Sequence, residues 1–307
     1  MTRRNLFEIA LAAALAFALS HPAAANAQAK NADTIKIGMV KNFFNDLPDA
    51  LVAIVTEPFG TLMKNTTGLD GALTYNKGAF DTAGLLNDDK LHFAVFQGHE
   101  FAWVRKAYPK LKPVAVAVNA FDDIRCFVIV SQKNPATSIK DLRGKTLDMP
   151  LLTKQHCWAY IERHCTDNAQ PDPKAFFGKI VKSESPLVGM DDVCRGKIDA
   201  VIVDALDLKF YREQKPAVFS KNLRILQQSD RFPHAVIVYK DGAVKDMTLK
   251  QFRAGLLKAH TIDENKDLFD LWKLRSFEAP PANFDAVLDA SLKAYPPPSS
   301  PVSVGAR

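Results

Sequence analysis

Short apolar stretches of strand length alternate with stretches of helical period along most of this 307-residue chain, and the alternation runs twice. The first run predicts strands at 34–40, 72–75, 91–96 and 114–118 with helices between them. Leu51, Ile54, Val55, Phe59 and Leu62 recur at helical spacing, and Pro58 is expected to kink or restart that helix. The second run predicts strands at 126–130, 146–149, 179–181, 198–203 and 223–226, with a helix at 154–164. An apolar stretch at 234–239 and helices at 249–260 and 268–274 follow. Strands alternating with helices build βαβ units and a mostly parallel sheet. Two such runs predict two α/β lobes joined by two crossings, near 119–124 and 230–236, with the C-terminal helices returning to the first lobe. Lobe 1 is then 30–120 plus 235–295, lobe 2 is 121–234, and the Pro- and Ser-rich tail 296–307 is expected to be disordered. Between two such lobes lies a cleft of the kind that holds ligands in hinge-closing proteins.

Composition narrows the function. The net charge is +6, from 40 basic and 34 acidic residues. Basic side chains are interspersed with acids rather than gathered into a patch, which excludes nucleic acid as the expected partner. At the N-terminus, Arg3 and Arg4 precede an unbroken apolar run from Ile9 to Leu19, followed by small-residue sites ending at Ala27 and Ala29. That run falls short of the roughly 20 residues a membrane span needs. It predicts a secretory signal over residues 1–29, cleaved near Ala27 or Ala29, and a periplasmic protein.

Four cysteines stand in the middle of the chain, Cys126, Cys157, Cys165 and Cys194. In an oxidising compartment an even count favours disulfides. Cys157 and Cys165 are eight positions apart on one predicted helix, hence about 12 Å apart, whereas a disulfide needs Cα atoms within about 7 Å. Any pairing must therefore include Cys126 or Cys194.

Three segments carry a family resemblance. Ser138-Ile139-Lys140-Asp141-Leu142-Arg143-Gly144-Lys145 follows the strand that enters the second lobe, and Gly196-Lys197-Ile198-Asp199-Ala200-Val201 joins a helix to a strand. The opening strand is followed by a Pro-containing helix ending at Gly68. In order and spacing they resemble the periplasmic phosphonate/phosphate-type substrate-binding proteins of ABC importers, over roughly residues 34–275. The resemblance implies the type 2 periplasmic-binding fold, in which each of two lobes is a mixed, mostly parallel sheet flanked by helices. It also implies a small, anionic ligand (phosphonate, phosphate or a related oxyanion or organic acid), hinge closure, a membrane permease as partner, and a monomer. The family's Ser-Thr-Ser-Gly run at a helix start corresponds here to 151–156, and its Ser-His-Asp element to Ser185-Pro186-Leu187.

Candidate ligand residues follow from chemistry at strand and helix ends. Ligands of α/β sheets bind beyond the C-terminal ends of strands, which selects Lys41, Asn42 and Phe43 after the first strand and Gln97 and His99 after the third. A helix N-terminus offers unpaired N–H groups and partial positive charge to an anion. Thr153, Lys154, Gln155 and His156 stand at such an end in the second lobe. Asp204, at the end of another strand, either orients a polar ligand or caps the next helix.

No catalytic pattern is present. Gly144-Lys145-Thr146 lacks the leading glycine of a phosphate loop, since position 139 is Ile, and Trp103 stands where a zinc-protease motif beginning at His99-Glu100 needs His. His156-Cys157 and His164-Cys165 are too far apart along a helix to share one ion. The chain is expected to be a binding protein without catalytic residues, metal or cofactor. The competing expectations are an exported protein of this fold that serves a partner protein or sensor, or one that handles a metal through the His/Cys helix.

Overall fold

The computed structural model describes residues 34–44, 47–76, 78–167 and 172–298. The expected signal over 1–29 lies outside them, as do residues 299–307 of the expected tail.

The first lobe opens with β1 (Ile35–Val40), a 3-10 turn (Lys41–Phe44), α1 (Asp49–Thr67), β2 (Gly71–Asn76), α2 (Ala79–Asn87), β3 (Phe93–Phe96), α3 (Gly98–Val104) and β4 (Leu111–Asn119). The chain then crosses over. The second lobe contains β5 (Cys126–Ser131), a 3-10 turn (Ile139–Leu142), β6 (Thr146–Asp148), α4 (Gln155–Asp167), α5 (Pro173–Phe176), β7 (Lys179–Val181) and α6 (Pro186–Cys194). It closes with β8 (Ala200–Asp204), α7 (Ala205–Gln214), α8 (Pro216–Asn222) and β9 (Leu223–Gln228). The chain returns to the first lobe as β10 (Ala235–Lys240), α9 (Asp246–Lys258), α10 (Lys266–Leu271), β11 (Leu274–Glu278) and α11 (Phe284–Ala294).

Two sheets result, with strand orders β11-β4-β10-β3-β1-β2 and β7-β6-β8-β5-β9. In the first, β1 runs parallel to β2 and β3, while β10 is antiparallel to β3 and β4. In the second, β6 runs parallel to β7 and β8, while β5 is antiparallel to β8 and β9. Both sheets are thus mixed. The strand that follows each crossing, β5 or β10, is the antiparallel one next to the parallel core.

Alternating side chains give each sheet two covered faces. In the first, Ile37, Met39, Phe93 and Val95 pack on Phe59 and Leu62 of α1 and Phe252 of α9. Val40, Ala94 and Phe96 pack on α2, α3 and α11 from the other side. The second sheet is covered likewise by α4 on one face and by α6 and α7 on the other. This explains why β3 and β8 read as continuous apolar runs: every residue of both is buried.

The structure departs from or adds to the sequence reading at three places. Of the two outcomes expected at Pro58, a kink or a restart, the restart does not occur, since α1 runs through it; Ile54, whose carbonyl loses its helical donor, is 41% exposed, so water can take that bond. Leu274 does not end a helix but opens β11, an edge strand antiparallel to β4. The helix α11, unassigned from the sequence, packs Phe284 and Leu288 against the first lobe, and Arg105 at the end of α3 bonds Asp285 and Asp289 on it.

Candidate functional site

The two crossings run side by side. Asp123 holds Arg125 at 2.7 Å and Arg231 at 3.4 Å, and Asp122 lies 2.8 Å from His234 Nε2. The second crossing also abuts the first lobe's helix α3. A Cβ on Gly98, the first residue of α3, would collide with Pro233 and with the His234 carbonyl, so only glycine allows this approach. Phe232 is thereby brought to the junction of the lobes.

In the first lobe, α3 begins with a capping box. The Gln97 side chain accepts from the Glu100 backbone, and the Gln97 N–H donates to Glu100 Oε2 at 3.3 Å. Asn42, in the turn after β1, donates to Glu100 Oε1 at 2.7 Å. Glu100 is fully buried with no cation among these partners. Burial pushes its carboxyl up to about 7, although the bonds from Asn42 and Gln97 oppose the shift. Next to it, His99 is 1% exposed, with its ring edge-on to Trp103 at 5.1 Å and to Phe232 at 5.4 Å. Burial, then the charge of nearby His156, pushes the His99 imidazole down to about 3.

In the second lobe, Thr153 donates its hydroxyl to the Pro150 carbonyl at 2.5 Å. Lys154 reaches Asp204, whose other oxygen accepts from the Asp207 N–H at 2.8 Å and so caps α7. Burial would raise the Asp204 carboxyl, but the Lys154 charge outweighs it and holds the carboxyl below its ordinary value. His156, the second residue of α4, is 6% exposed and 5.3 Å from the Phe232 ring. Burial opposes charge on His156, while the adjacent Cys157 and Asp204 side chains favour it and leave its pKa raised.

Phe232 therefore touches an imidazole from each lobe. Its own ring stacks on Tyr295 at 4.3 Å, and the Tyr295 carbonyl accepts from Trp103 Nε1 at 2.7 Å. The Nε2 atoms of His99 and His156 are buried and have no hydrogen-bond partner. Such orphaned polar atoms are uncommon in folded proteins.

Of the ten residues expected from sequence, Asn42, Gln97 and His99 converge in the first lobe, and Thr153, Lys154, Gln155, His156 and Asp204 in the second. Two do not join them. Lys41 turns outward to Asp49 at 3.1 Å, and Phe43 packs into the first-lobe core. Sequence reasoning missed Glu100, Phe232 and Tyr295. Only Glu100 had a local signal, as an acid three residues after a helix-capping position.

Two open pockets lie elsewhere, one of about 300 Å³ beside Phe121 and Lys209 and one of about 560 Å³ beside Asn76 and Phe80. None of the ten expected residues lines either pocket. Among the described residues no group of three or more His, Cys, Asp or Glu side chains could hold a metal ion, and no helix is long and apolar enough to cross a membrane.

The family model for the periplasmic phosphonate substrate-binding protein of ABC transporters matches residues 47–283. No curated protein matches the chain. Among solved structures, a Xanthomonas citri protein bound to ATP is 15% identical, with TM-score 0.58 over 86% of this chain and 97% of its own. A binding protein component of an ABC phosphonate transporter from Pseudomonas aeruginosa is 14% identical, with TM-score 0.57 over 84% and 85%. A Prochlorococcus marinus protein in complex with methylphosphonate is 12% identical, with TM-score 0.57 over 86% and 98%. At these identities the structures establish the fold, the two-lobed type 2 periplasmic-binding architecture.

Proposed function

The chain belongs to the periplasmic phosphonate substrate-binding family of ABC transporters, and from that premise we propose that it captures a small oxyanion between its lobes and presents it to a membrane permease. The observation that carries this reading is the pair of buried, unpartnered Nε2 atoms, His99 from one lobe and His156 from the other. A neutral imidazole with its proton on Nε2, or a protonated one, donates a hydrogen bond from that atom, and a phosphonate or phosphate oxygen would accept from both. Lys154 supplies positive charge beside them, and Asn42, Gln97, Thr153 and Gln155 supply polar groups. Asp204 orients Lys154. Lys41, which turns outward to Asp49, and Phe43, which packs into the first-lobe core, do not touch the ligand.

In this reading the lobes, 30–120 plus 235–295 and 121–234, swing about the two crossings, and the junction closes over the anion. Export is by the N-terminal signal, and the protein acts as a monomer. A rival reading, in which the same fold serves a partner protein or sensor, draws on the Phe232–Tyr295 stack that occupies the junction.

A thermal-shift titration separates the two readings. The full chain, stripped by unfolding and refolding, is heated with methylphosphonate, inorganic phosphate, sulfate, an alkylsulfonate or a small carboxylate. A ligand at a hundred times its dissociation constant adds about 2.7 kcal/mol, a rise of roughly 5–10 °C at this size. The rise should follow one anion class and shrink in His156→Ala and Lys154→Ala. Unchanged affinity in both variants would remove the site assignment, and no rise with any anion would favour the partner protein.

A further inference from the structure

All four cysteines lie in the second lobe and all four are thiols in this structure, yet their placement divides them. Cys126, Cys157 and Cys165 belong to the cluster on one face of the second sheet. Cys194 packs with the cluster on the other face, its Sγ 3.6 Å from the Tyr211 hydroxyl. Side chains that leave a sheet on opposite faces cannot be bridged, so Cys194 is out of reach of Cys126. Within the first face, Cys157 and Cys165 are held about 12 Å apart by the helix α4 that carries both. Cys126 is then the one available partner.

Cys157 packs in the same buried cluster. The Cys126 side chain is among the neighbours that push the Cys157 thiol up, and Cys126 is 0% and Cys157 1% exposed. Two further links, independent of that contact, place them together. Cys126 stands opposite Asp204 in the register of β5 and β8. Asp204 in turn holds Lys154, in the turn that leads into α4. The strand end and the helix start are therefore tied on both sides of the two sulfurs.

We propose that Cys126 and Cys157 form a disulfide in the exported protein, with Cys165 and Cys194 remaining thiols. Bond formation takes one proton and one electron from each thiol, and the electron pair reduces the disulfide of an oxidised exchange partner, such as glutathione disulfide, to two thiols. Burial pushes the Cys157 thiol well up, and only a thiolate attacks a disulfide. The exchange accordingly takes place before α4 docks on β5 and seals both sulfurs. Once made, the bond clips the start of α4, with Thr153 to His156, to the strand that follows the first crossing. It fixes one wall of the junction whatever the ligand is.

The test is a thiol count with linkage mapping on the full chain, exported into an oxidising compartment, purified without reductant and alkylated while denatured. The expected result is alkylation at Cys165 and Cys194 only, with the peptides of Cys126 and Cys157 joined and lighter by two hydrogens. A second sample, refolded with reduced and oxidised glutathione, removes any dependence on export. Four alkylated cysteines in both samples, or a link to Cys165 or Cys194, overturns the proposal. Reductant should lower the wild-type unfolding midpoint by about 10 °C. Cys126→Ser and Cys157→Ser, singly or together, should abolish that response to reductant. A wild-type midpoint that ignores reductant overturns the proposal as well.

Discussion

In each lobe, a side chain from the turn after one strand reaches an acid at the start of the helix after another, and the two links occupy the same place in their sheets. The order β2-β1-β3-β10 in one sheet matches β7-β6-β8-β5 in the other. After β1 stands Asn42, bonded to Glu100 at the start of α3; after β6 stands Lys154, bonded to Asp204 at the start of α7. Both acids are buried, Glu100 at 0% and Asp204 at 5% exposure. Their charge states nevertheless diverge, since Glu100 is pushed up to about 7 and Asp204 is held down. Burial alone would raise both, so the difference comes from the donor: a neutral amide on one side, an ammonium on the other. One wall of the junction is consequently close to neutral and the other carries an ion pair.

Glu100→Gln breaks this comparison with the largest effect. Between pH 4.5 and about 7 the native carboxyl holds a proton that the unfolded chain has released. Stability therefore falls as pH rises across that window, by about 3 kcal/mol once it is passed. Glutamine does not titrate, but it keeps only one of the two acceptor oxygens that Asn42 and Gln97 use, a loss of about 1 kcal/mol. Urea unfolding should find the variant more stable than wild type by about 2 kcal/mol at pH 8 and slightly less stable near pH 4. Parallel pH profiles for the two proteins would mean that Glu100 is ionised in the fold after all.

Lys154→Met makes the second lobe resemble the first, with a smaller effect. It leaves the buried Asp204 carboxylate with only its bond from the Asp207 N–H. Lys154 itself is half-exposed, so solvent screens the pair, and the expected loss is about 1–2 kcal/mol at neutral pH. The sign with pH is opposite to that of Glu100. Because the folded Asp204 is depressed, its contribution is complete above its unfolded value and is lost as pH falls through the lower folded one. The gap between variant and wild type should close in acid. A constant gap down to the acid transition would assign the loss to packing of the lysine stem.

How far such links are legible in sequence differs between fold and site. Strands such as β3 and β8 were readable within a residue or two because both faces of each sheet are covered, which leaves unbroken apolar runs. The edge strand β11 was not, since Arg275 and Glu278 interrupt its pattern and Leu274 sits beside an apolar helical stretch. The helix α11 did carry a legible period in Phe284, Leu288 and Leu292, and only its distance from the strand–helix alternation hid it. Of the candidate site, the strand-end rule selects Asn42, Gln97 and His99, and the helix-start argument, together with the family resemblance, selects Thr153 to His156. Phe232 was invisible because its place depends on the crossing folding against Gly98, a contact between residues more than a hundred positions apart. The protonation of Glu100 was equally hidden, since an acid's burial is set by the elements that close over it.

The smallest expected effect concerns Lys41, the residue next to Asn42 in the turn after β1. It too is a lysine with an aspartate partner, Asp49, at 3.1 Å, so in composition it repeats the Lys154–Asp204 link. Its setting does not. The Asp49 side chain is 72% exposed, against 6% for that of Asp204, and water solvates it whether or not Lys41 is present. Exposed pairs of this kind contribute about 0–0.5 kcal/mol and less in salt. Lys41→Ala should therefore leave the urea midpoint nearly unmoved, with any change vanishing at high ionic strength, whereas the Lys154→Met loss should survive added salt. A larger, salt-resistant loss at Lys41 would place its charge at the junction rather than at the surface. The first lobe would then carry its own cation, and the contrast between a neutral wall and an ionic one would no longer hold.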